Sequence, residues 1–354
     1  MSLAQTSVMN GAPMLFQDLC AAPNLRSDEV FSFADPFLQE LMNSGPLRRL
    51  KDIGFLGAID YIRRGSGQAA NRRRHSRYEH SVGVGKLAEQ FSTSQELPEH
   101  NSRVLISAGL LHDVGHGPLS HTLEPVFEQK FGINHHLMTK RILFGETKFG
   151  SEIADIFRKY AVDLDETWAM INGDHHGEHS FLFSSQINLD TLEGITRCRA
   201  FFGQRTAIRS ASQIVKRLSF DTISTTSDFD DFWDLKHKVY KYFINGNIGL
   251  ILDTIAQAYM REFIDQFDPS DFMRTEQNLR KKHFFLFEMF DLVRQKRTHI
   301  KSEIPKSLFA KPVQVKSRNF YVDENKPLTS EQEINKRYRQ TKKLGELSLE
   351  EIIS

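Results

Sequence analysis

The chain has 354 residues, enough for one large domain or two smaller ones. Its 46 Lys and Arg against 45 Asp and Glu leave a net charge of +1, which excludes a polyanion partner recruited by bulk charge. With 40% hydrophobic residues, a mean hydropathy of −0.42 and no run of about 18 apolar residues, a membrane span is not expected. Two cysteines, Cys20 and Cys198, are too few for a disulfide framework and suggest a reducing, cytoplasmic setting. The N-terminus shows no charged segment followed by an apolar one, so no secretory signal is read there.

Taken in chain order, residues 1–34 read as a loose arm or a partner-binding segment. Phe37, Leu38, Leu41 and Met42 follow helical spacing, and Gly45-Pro46 ends that helix. A second helical stretch runs from Leu47 to about Ile59. Arg63, Arg64, Arg72, Arg73, Arg74 and Arg77 then form an acid-free basic loop broken by Gly65-Ser66-Gly67. Guanidinium forks suit phosphate, and a solvated loop is the plain alternative. Tyr78 to about Ser92 reads as a helix in which Gly83 and Gly85 permit close packing. Val104 to Val114 is apolar nearly all round, as in a central helix. Ser120 is a candidate N-cap for a helix to about Phe131, and Asn134 for one from His135 to about Phe144. Further helices are expected near Ser151–Tyr160, Phe181–Phe202, Phe229–Asn245 and Ile248–Phe267. Gly173 to Gly177 is a polar turn, and Lys311–Asp323 is the best strand or hairpin candidate. Residues 330–354 read as a charged terminal helix. The expected fold is therefore mainly α, with one candidate for a small β-hairpin.

Eleven of the fourteen histidines fall between His75 and His179. The sharpest concentration is Leu111-His112-Asp113-Val114-Gly115-His116-Gly117-Pro118-Leu119-Ser120-His121. Adjacent helix residues diverge by about 100°, so His112 and Asp113 can share one ion only near a helix end, which Gly115 supplies. An imidazole with a carboxylate suits a borderline divalent metal. His80 lies 32 residues before His112, at the start of a helix. Asp190 lies in an apolar helical stretch, where an unpartnered charge would be costly.

Arg77-Tyr78-Glu79-His80-Ser81-Val82-Gly83-Val84-Gly85, the His112-Asp113 stretch and Asn188-Leu189-Asp190 together resemble the HD-domain metal-dependent phosphohydrolases, closest to their deoxynucleotide triphosphohydrolase branch. Asp35-Pro36, Leu47 to Gly54 and, more weakly, Asp231 to His237 extend the resemblance over roughly 35–260. It implies an HD helical bundle over 35–204, with 205–354 a helical C-terminal region packed on it. It implies His80, His112, Asp113 and Asp190 as metal ligands, with Arg77 on substrate phosphate and Arg72, Arg73 and Arg74 in support. His116 is placed on the substrate side, and Glu124 with His135 forms an acid–histidine pair for proton transfer. The implied ion is a divalent transition metal, Mn, Fe, Co or Ni, with Mg or Zn also compatible. One ion is expected; His135 or His136 with His175 or His176 would supply a second in a two-metal variant, against the simpler reading of a polar surface turn. His75 and His121 read as supporting groups.

The expected activity is hydrolysis of a nucleotide or related phosphoester by metal-activated water, with His135 or alternatively His116 protonating the leaving oxygen. The sequence departs from the branch at its sugar-reading positions. Phe55 stands where a glutamine precedes Leu-Gly, and Gly194 and Cys198 stand where a tyrosine and an acid follow the ligand aspartate. An altered substrate is inferred. The branch also follows its proton-transfer histidine with an acid, where this chain has His136. Competing readings are a di-iron HD oxygenase, and a nucleotide-sensing or nucleic-acid-binding module using residues 274–318, with twelve Lys/Arg against four Asp/Glu. The intact ligand set and the arginine loop favour the hydrolase, and the family resemblance suggests a homo-oligomer.

Overall fold

A computed structural model describes residues 32–63, 75–177, 179–199, 211–218, 226–295, 305–309, 312–328, 331–348 and 350–351. Residues 1–31 of the arm expected at 1–34, and Arg72, Arg73 and Arg74, lie outside the described residues. The fold is mainly helical, and the described residues carry a single two-stranded antiparallel sheet. No helix among them is long and apolar enough to cross a membrane.

Helices α1 (Pro36–Asn43) and α2 (Gly45–Arg49) lead to α3 (Arg77–Ser94) and α4 (Glu99–Leu111), which form the centre of the bundle. A reciprocal cap starts α3: Ser76 Oγ accepts from Glu79 N at 3.2 Å, and Ser76 N donates to Glu79 Oε2 at 2.9 Å. Helices α3 and α4 meet at glycines, as the sequence suggests. A Cβ on Gly109 would stand 3.0 Å from Gly85 N and 3.1 Å from its Cα. Around this pair stand α5 (Glu124–Phe131), α6 (His135–Leu143), α7 (Glu152–Lys159), α8 (Leu164–Asn172) and α9 (Leu189–Arg199). Asn134 caps α6 as expected, its side chain accepting from Leu137 N at 2.9 Å.

Several expected helices end early, each for a local reason. The stretch from Leu47 stops at Arg49 and tightens to a 3₁₀ turn at Leu50–Asp52. Beyond it the backbone pairs sideways instead: Arg77 N donates to Ile53 O at 2.8 Å and Phe55 N to His75 O at 3.0 Å. Ser120 does not cap α5, which starts at Glu124; its hydroxyl instead accepts from Arg77 Nε at 3.0 Å and donates to Gly54 O at 2.6 Å. The stretch expected to be helical from Phe181 to Phe202 breaks at Ser185–Asn188, whose side chains bond nearby backbone. Asn188 then caps α9, accepting from Thr191 N at 2.7 Å.

The C-terminal region contributes α10 (Ser227–Val239), α11 (Asn247–Glu262) and the aromatic helix α12 (Phe284–Gln295). Leu286, Phe287, Met289 and Phe290 are buried, whereas Phe284 and Phe285 are exposed. The terminal segment corrects the sequence reading. Helix α13 spans Glu331–Arg337, and Tyr338–Leu347, expected to continue it, is strand β2, paired antiparallel with β1 (Val313–Val322). Tertiary anchors override the charged pattern here. Tyr338 is fully buried, its hydroxyl donating to Asp230 at 2.8 Å and its ring 5.4 Å from Trp233.

Two stability outcomes follow. A Cβ on Gly115 would overlap the His135 carbonyl and the Thr139 nitrogen, whereas one on Gly132, at φ +66°, meets nothing within 4 Å. Gly115→Ala should lower the urea-unfolding free energy by about 3 kcal/mol, the scale of forced overpacking. Gly132→Ala should cost only the left-handed penalty of about 1 kcal/mol, and equal effects would contradict this packing. His283 is 1% exposed and stacked on Phe267 at 3.9 Å; burial, with Lys282 beside it, lowers its pKa to about 4. The folded state therefore holds this proton less well than the unfolded chain. Its stabilisation is complete above about pH 6.5 and is lost as pH falls toward 4. His283→Phe should flatten that slope in denaturation curves measured across this range.

Candidate metal centre

The α3–α4 crossing delivers His80 and His112 to one point. Their Nε2 atoms lie 3.3 Å apart. His112 Nδ1 faces the Gly109 carbonyl at 2.9 Å, and His80 Nδ1 faces Glu193 Oε2 at 2.5 Å. Each Nδ1 is thereby assigned the proton, and each Nε2 presents a lone pair. Two lone pairs pointed at each other repel unless a cation lies between them. Asp113 Oδ2 is 3.5 Å from both Nε2 atoms. Asp190 Oδ1, from the first turn of α9, is 3.0 Å from His80 Nε2 and 3.7 Å from His112 Nε2. His80, His112 and Asp113 offer donor atoms all within 4.8 Å of one another. This set of two imidazoles and two carboxylates fits a divalent ion.

Supporting groups fix these donors. Glu193 is fully buried, one turn after Asp190, and Arg197 pairs with it. Arg197 also reaches His75 Nδ1 at 2.9 Å and the Glu79 carbonyl at 2.9 Å. Gly83 is required here, because any Cβ would overlap the Glu193 carboxylate. The sequence reading passed over Glu193 and Arg197. Their signal is the i,i+4 acid–base pair inside an apolar helix, since a buried acid needs a partner.

Arg77 is 5% exposed and spans the centre. Its Nη1 donates to Asp113 Oδ2 at 2.6 Å and its Nε to Ser120 Oγ at 3.0 Å. Nη2 has no hydrogen bond among the described residues. Ser120 follows Leu119, and both have positive φ, 47° and 59°. Two consecutive left-handed residues cost roughly 1–2 kcal/mol each; the Ser120 bonds to Gly54 and Arg77 hold the turn in place.

Burial opposes ionisation of Asp113, yet His112 and Arg77 outweigh it and hold its carboxyl well below the usual range. Burial likewise works against a charged His112, but Asp113 and Asp190 raise its pKa to about 9, so its Nε2 holds a proton unless a metal ion takes that proton's place. His80 shifts upward for the same reason, through Glu193 and Asp190.

Beside this group lies a second one, His116, His121, Glu124 and His135. Glu124 Oε2 is 2.8 Å from His135 Nδ1 and 3.5 Å from His121 Nδ1. His116 does not face the cavity as expected. It is fully buried, its ring stacked on His135 at 4.2 Å, with Nε2 3.2 Å from Asp113 Oδ1. Burial and the nearby Arg77 hold its pKa well below normal, so the ring is neutral. His121, read as support, lines the cavity with His135 and His136. His175 and His176 are not brought to this cavity; His175 Nε2 sits 3.6 Å from Glu166 instead.

These groups open onto a cavity of about 640 Å³. Phe55, Gly194 and Cys198 line one edge, and the hairpin and α10 line another. Phe55 packs 4.7 Å from the His80 ring and 5.1 Å from the Arg77 guanidinium. A cavity of about 770 Å³ beside Gly54 and Ser76 contains none of the clustered donors.

The HD domain family model matches residues 77–190. The uncharacterized protein YwfO of Bacillus subtilis is 27% identical over 200 residues, 52% of this chain and 43% of its own length. A deoxynucleoside triphosphate triphosphohydrolase SAMHD1 homolog of Dictyostelium discoideum is 23% identical over 281 residues, 70% of this chain and 51% of its own. The chain thus spans about half the length of these curated relatives. A hypothetical protein from Aquifex aeolicus has the same fold, with a TM-score of 0.61 at 18% identity, covering 88% of this chain and 95% of that one. The chain thus carries an HD domain match at residues 77–190 and is similar to proteins that include deoxynucleoside triphosphate triphosphohydrolases.

Proposed function

We propose that the chain is a metal-dependent hydrolase of a nucleotide or a related phosphoester. The observation that carries this reading is the convergence of two Nε2 lone pairs at 3.3 Å, flanked by Asp113 and Asp190 and opening onto a cavity that Arg77 also lines. His80, His112, Asp113 and Asp190 would hold the ion: Mn, Fe, Co or Ni, with Mg or Zn also suited to the donors. When bound, such an ion lowers the pKa of a coordinated water and offsets charge on phosphoryl oxygens.

The remaining roles belong to the chain's own groups. Arg77 orients Asp113 through Nη1 and offers Nη2 to a phosphoryl oxygen. His135, oriented by Glu124, is the proton donor to the leaving oxygen. It is favoured over His116 because His135 lines the cavity and His116 does not. The substrate edge supports a departure from the branch's usual sugar reading. Phe55 offers no hydrogen bond, and a Cβ on Gly194 would already stand 3.3 Å from Phe55 Cζ. No sugar-reading side chain fits there without displacing Phe55.

Asp190→Ala and His112→Ala should each abolish stoichiometric metal, read by mass spectrometry of the purified protein, and phosphate release from nucleotides. Undiminished phosphate release by the double variant would sink the assignment. Glu193→Gln tests the support for His80. Loss of such a carboxylate partner should weaken metal affinity about 10–100-fold, with full occupancy restored at saturating metal. An unaltered metal titration would remove Glu193 from this role.

A further inference from the structure

Arg49, the last residue of α2, is buried and lines neither cavity. Its Nη2 donates to two carbonyls of the turn that follows Asp113, Val114 O at 2.9 Å and His116 O at 2.7 Å. Nη1 reaches the Arg274 carbonyl at 3.3 Å. No carboxylate among the described residues pairs with this guanidinium, and burial lowers its pKa to about 10. A charge buried without a counter-charge is costly. If the space asked only for bulk, a neutral side chain would fill it at lower cost.

The turn that Arg49 holds carries part of the site. Asp113 leads into it and His116 lies within it. His116 N donates to Asp113 O at 3.0 Å, and His116 Nε2 is 3.2 Å from Asp113 Oδ1. The His116 ring in turn lies under His135 at 4.2 Å. Gly115 and Gly117 leave this backbone with little stiffness of its own. Its shape is therefore imposed by neighbours. From α6, Thr139 Oγ1 accepts from Gly115 N at 3.0 Å. From the C-terminal region, Phe272 lies so close that a Cβ on Gly117 would stand 3.0 Å from its carbonyl oxygen. From α2, one nitrogen of Arg49 gathers the Val114 and His116 carbonyls to a single point, which fixes two peptide planes relative to each other.

We propose that Arg49 is a positioning residue of the metal centre: its planar fork sets the turn after Asp113, and through it the direction from which the Asp113 carboxylate meets the ion and the packing of His116 beneath His135. Arg49 bonds to none of the donor side chains, so it acts through the backbone alone. A lysine would keep the charge, but an ammonium lacks the rigid fork that reaches the turn and Arg274 together. Nη1 also ties the turn to a segment far outside residues 77–190. This inference rests on the reading of His80, His112, Asp113 and Asp190 as the metal ligands.

The probe is Co²⁺, titrated into the full chain, because its visible absorption reports the ligand geometry around the ion. Arg49→Lys should bind Co²⁺ about 10–100-fold more weakly than wild type, the scale for loss of an outer support. Its visible bands at saturating metal should also differ from those of wild type. Arg49→Gln, which has no charge to bury, should show both changes, and it decides the matter if Arg49→Lys does not fold. Lys148→Met is the comparison. Lys148 belongs to the same cluster, its pKa lowered by burial with Arg49 and Arg274 beside it, but it donates to Met273 O at 3.1 Å and not to the turn. It should lower the thermal midpoint and leave the Co²⁺ affinity and bands as in wild type. If Lys148→Met reproduces the Arg49 changes, general loosening explains them and the proposal is overturned. Wild type that binds Co²⁺, beside folded Arg49 variants that bind it with the same affinity and the same bands, leaves the metal centre standing and removes Arg49 from it. Wild type that binds no Co²⁺ refutes the metal centre, and this role with it.

Discussion

Backbone-to-backbone contact between α3 and α4 is the constraint on which the site depends. A Cβ on Gly109 would press on the Gly85 backbone at 3.0 Å, and one on Gly85 would meet the Leu110 side chain at 2.9 Å. His80 lies five residues before one glycine and His112 three after the other. The crossing therefore sets the 3.3 Å separation of their Nε2 atoms. The same device recurs at Gly83, which lets the Glu193 carboxylate reach His80, and at Gly115, which seats the end of the His-Asp turn on α6. Small residues here exchange helix propensity for proximity.

Proximity alone would leave a buried cluster of charge, which is costly unless each member is partnered. The chain answers in relays. Arg197 neutralises Glu193, Glu193 orients His80, and Arg77 ties Asp113 to Ser120. The Glu124–His135 pair forms a parallel relay, with neutral His116 as its packed floor. His112, Asp113, Arg77 and His135 form the cavity wall, with His80 buried behind it.

The cavity is asymmetric. Acids and histidines line one side, and basic residues of the hairpin and α10 line another. Between them Phe55 and Gly194 close an edge with no polar function. The hairpin is anchored on α10 by Asp230 and Trp233.

What the residues alone determined was local. Apolar periodicity marked α3, α4, α6 and α10, and the Asn134 cap was readable because capping depends on a few neighbouring atoms. Histidines and acids, with the family resemblance, marked His80, His112, Asp113 and Asp190 as candidate ligands, because donor identity is a property of side-chain type. The tertiary structure decided the rest. It stopped the helices at Arg49 and Phe181–Ser184 through side-chain and sideways backbone bonds, and turned Tyr338–Leu347 into a strand because Tyr338 finds a buried partner in Asp230. It moved His116 behind His135, brought His121 to the cavity wall and left His175 against Glu166. It also set hairpin cations from near the end of the chain beside the cavity of residues 77–190. None of this is legible in a one-dimensional pattern, since it depends on which surfaces the packed helices leave facing one another.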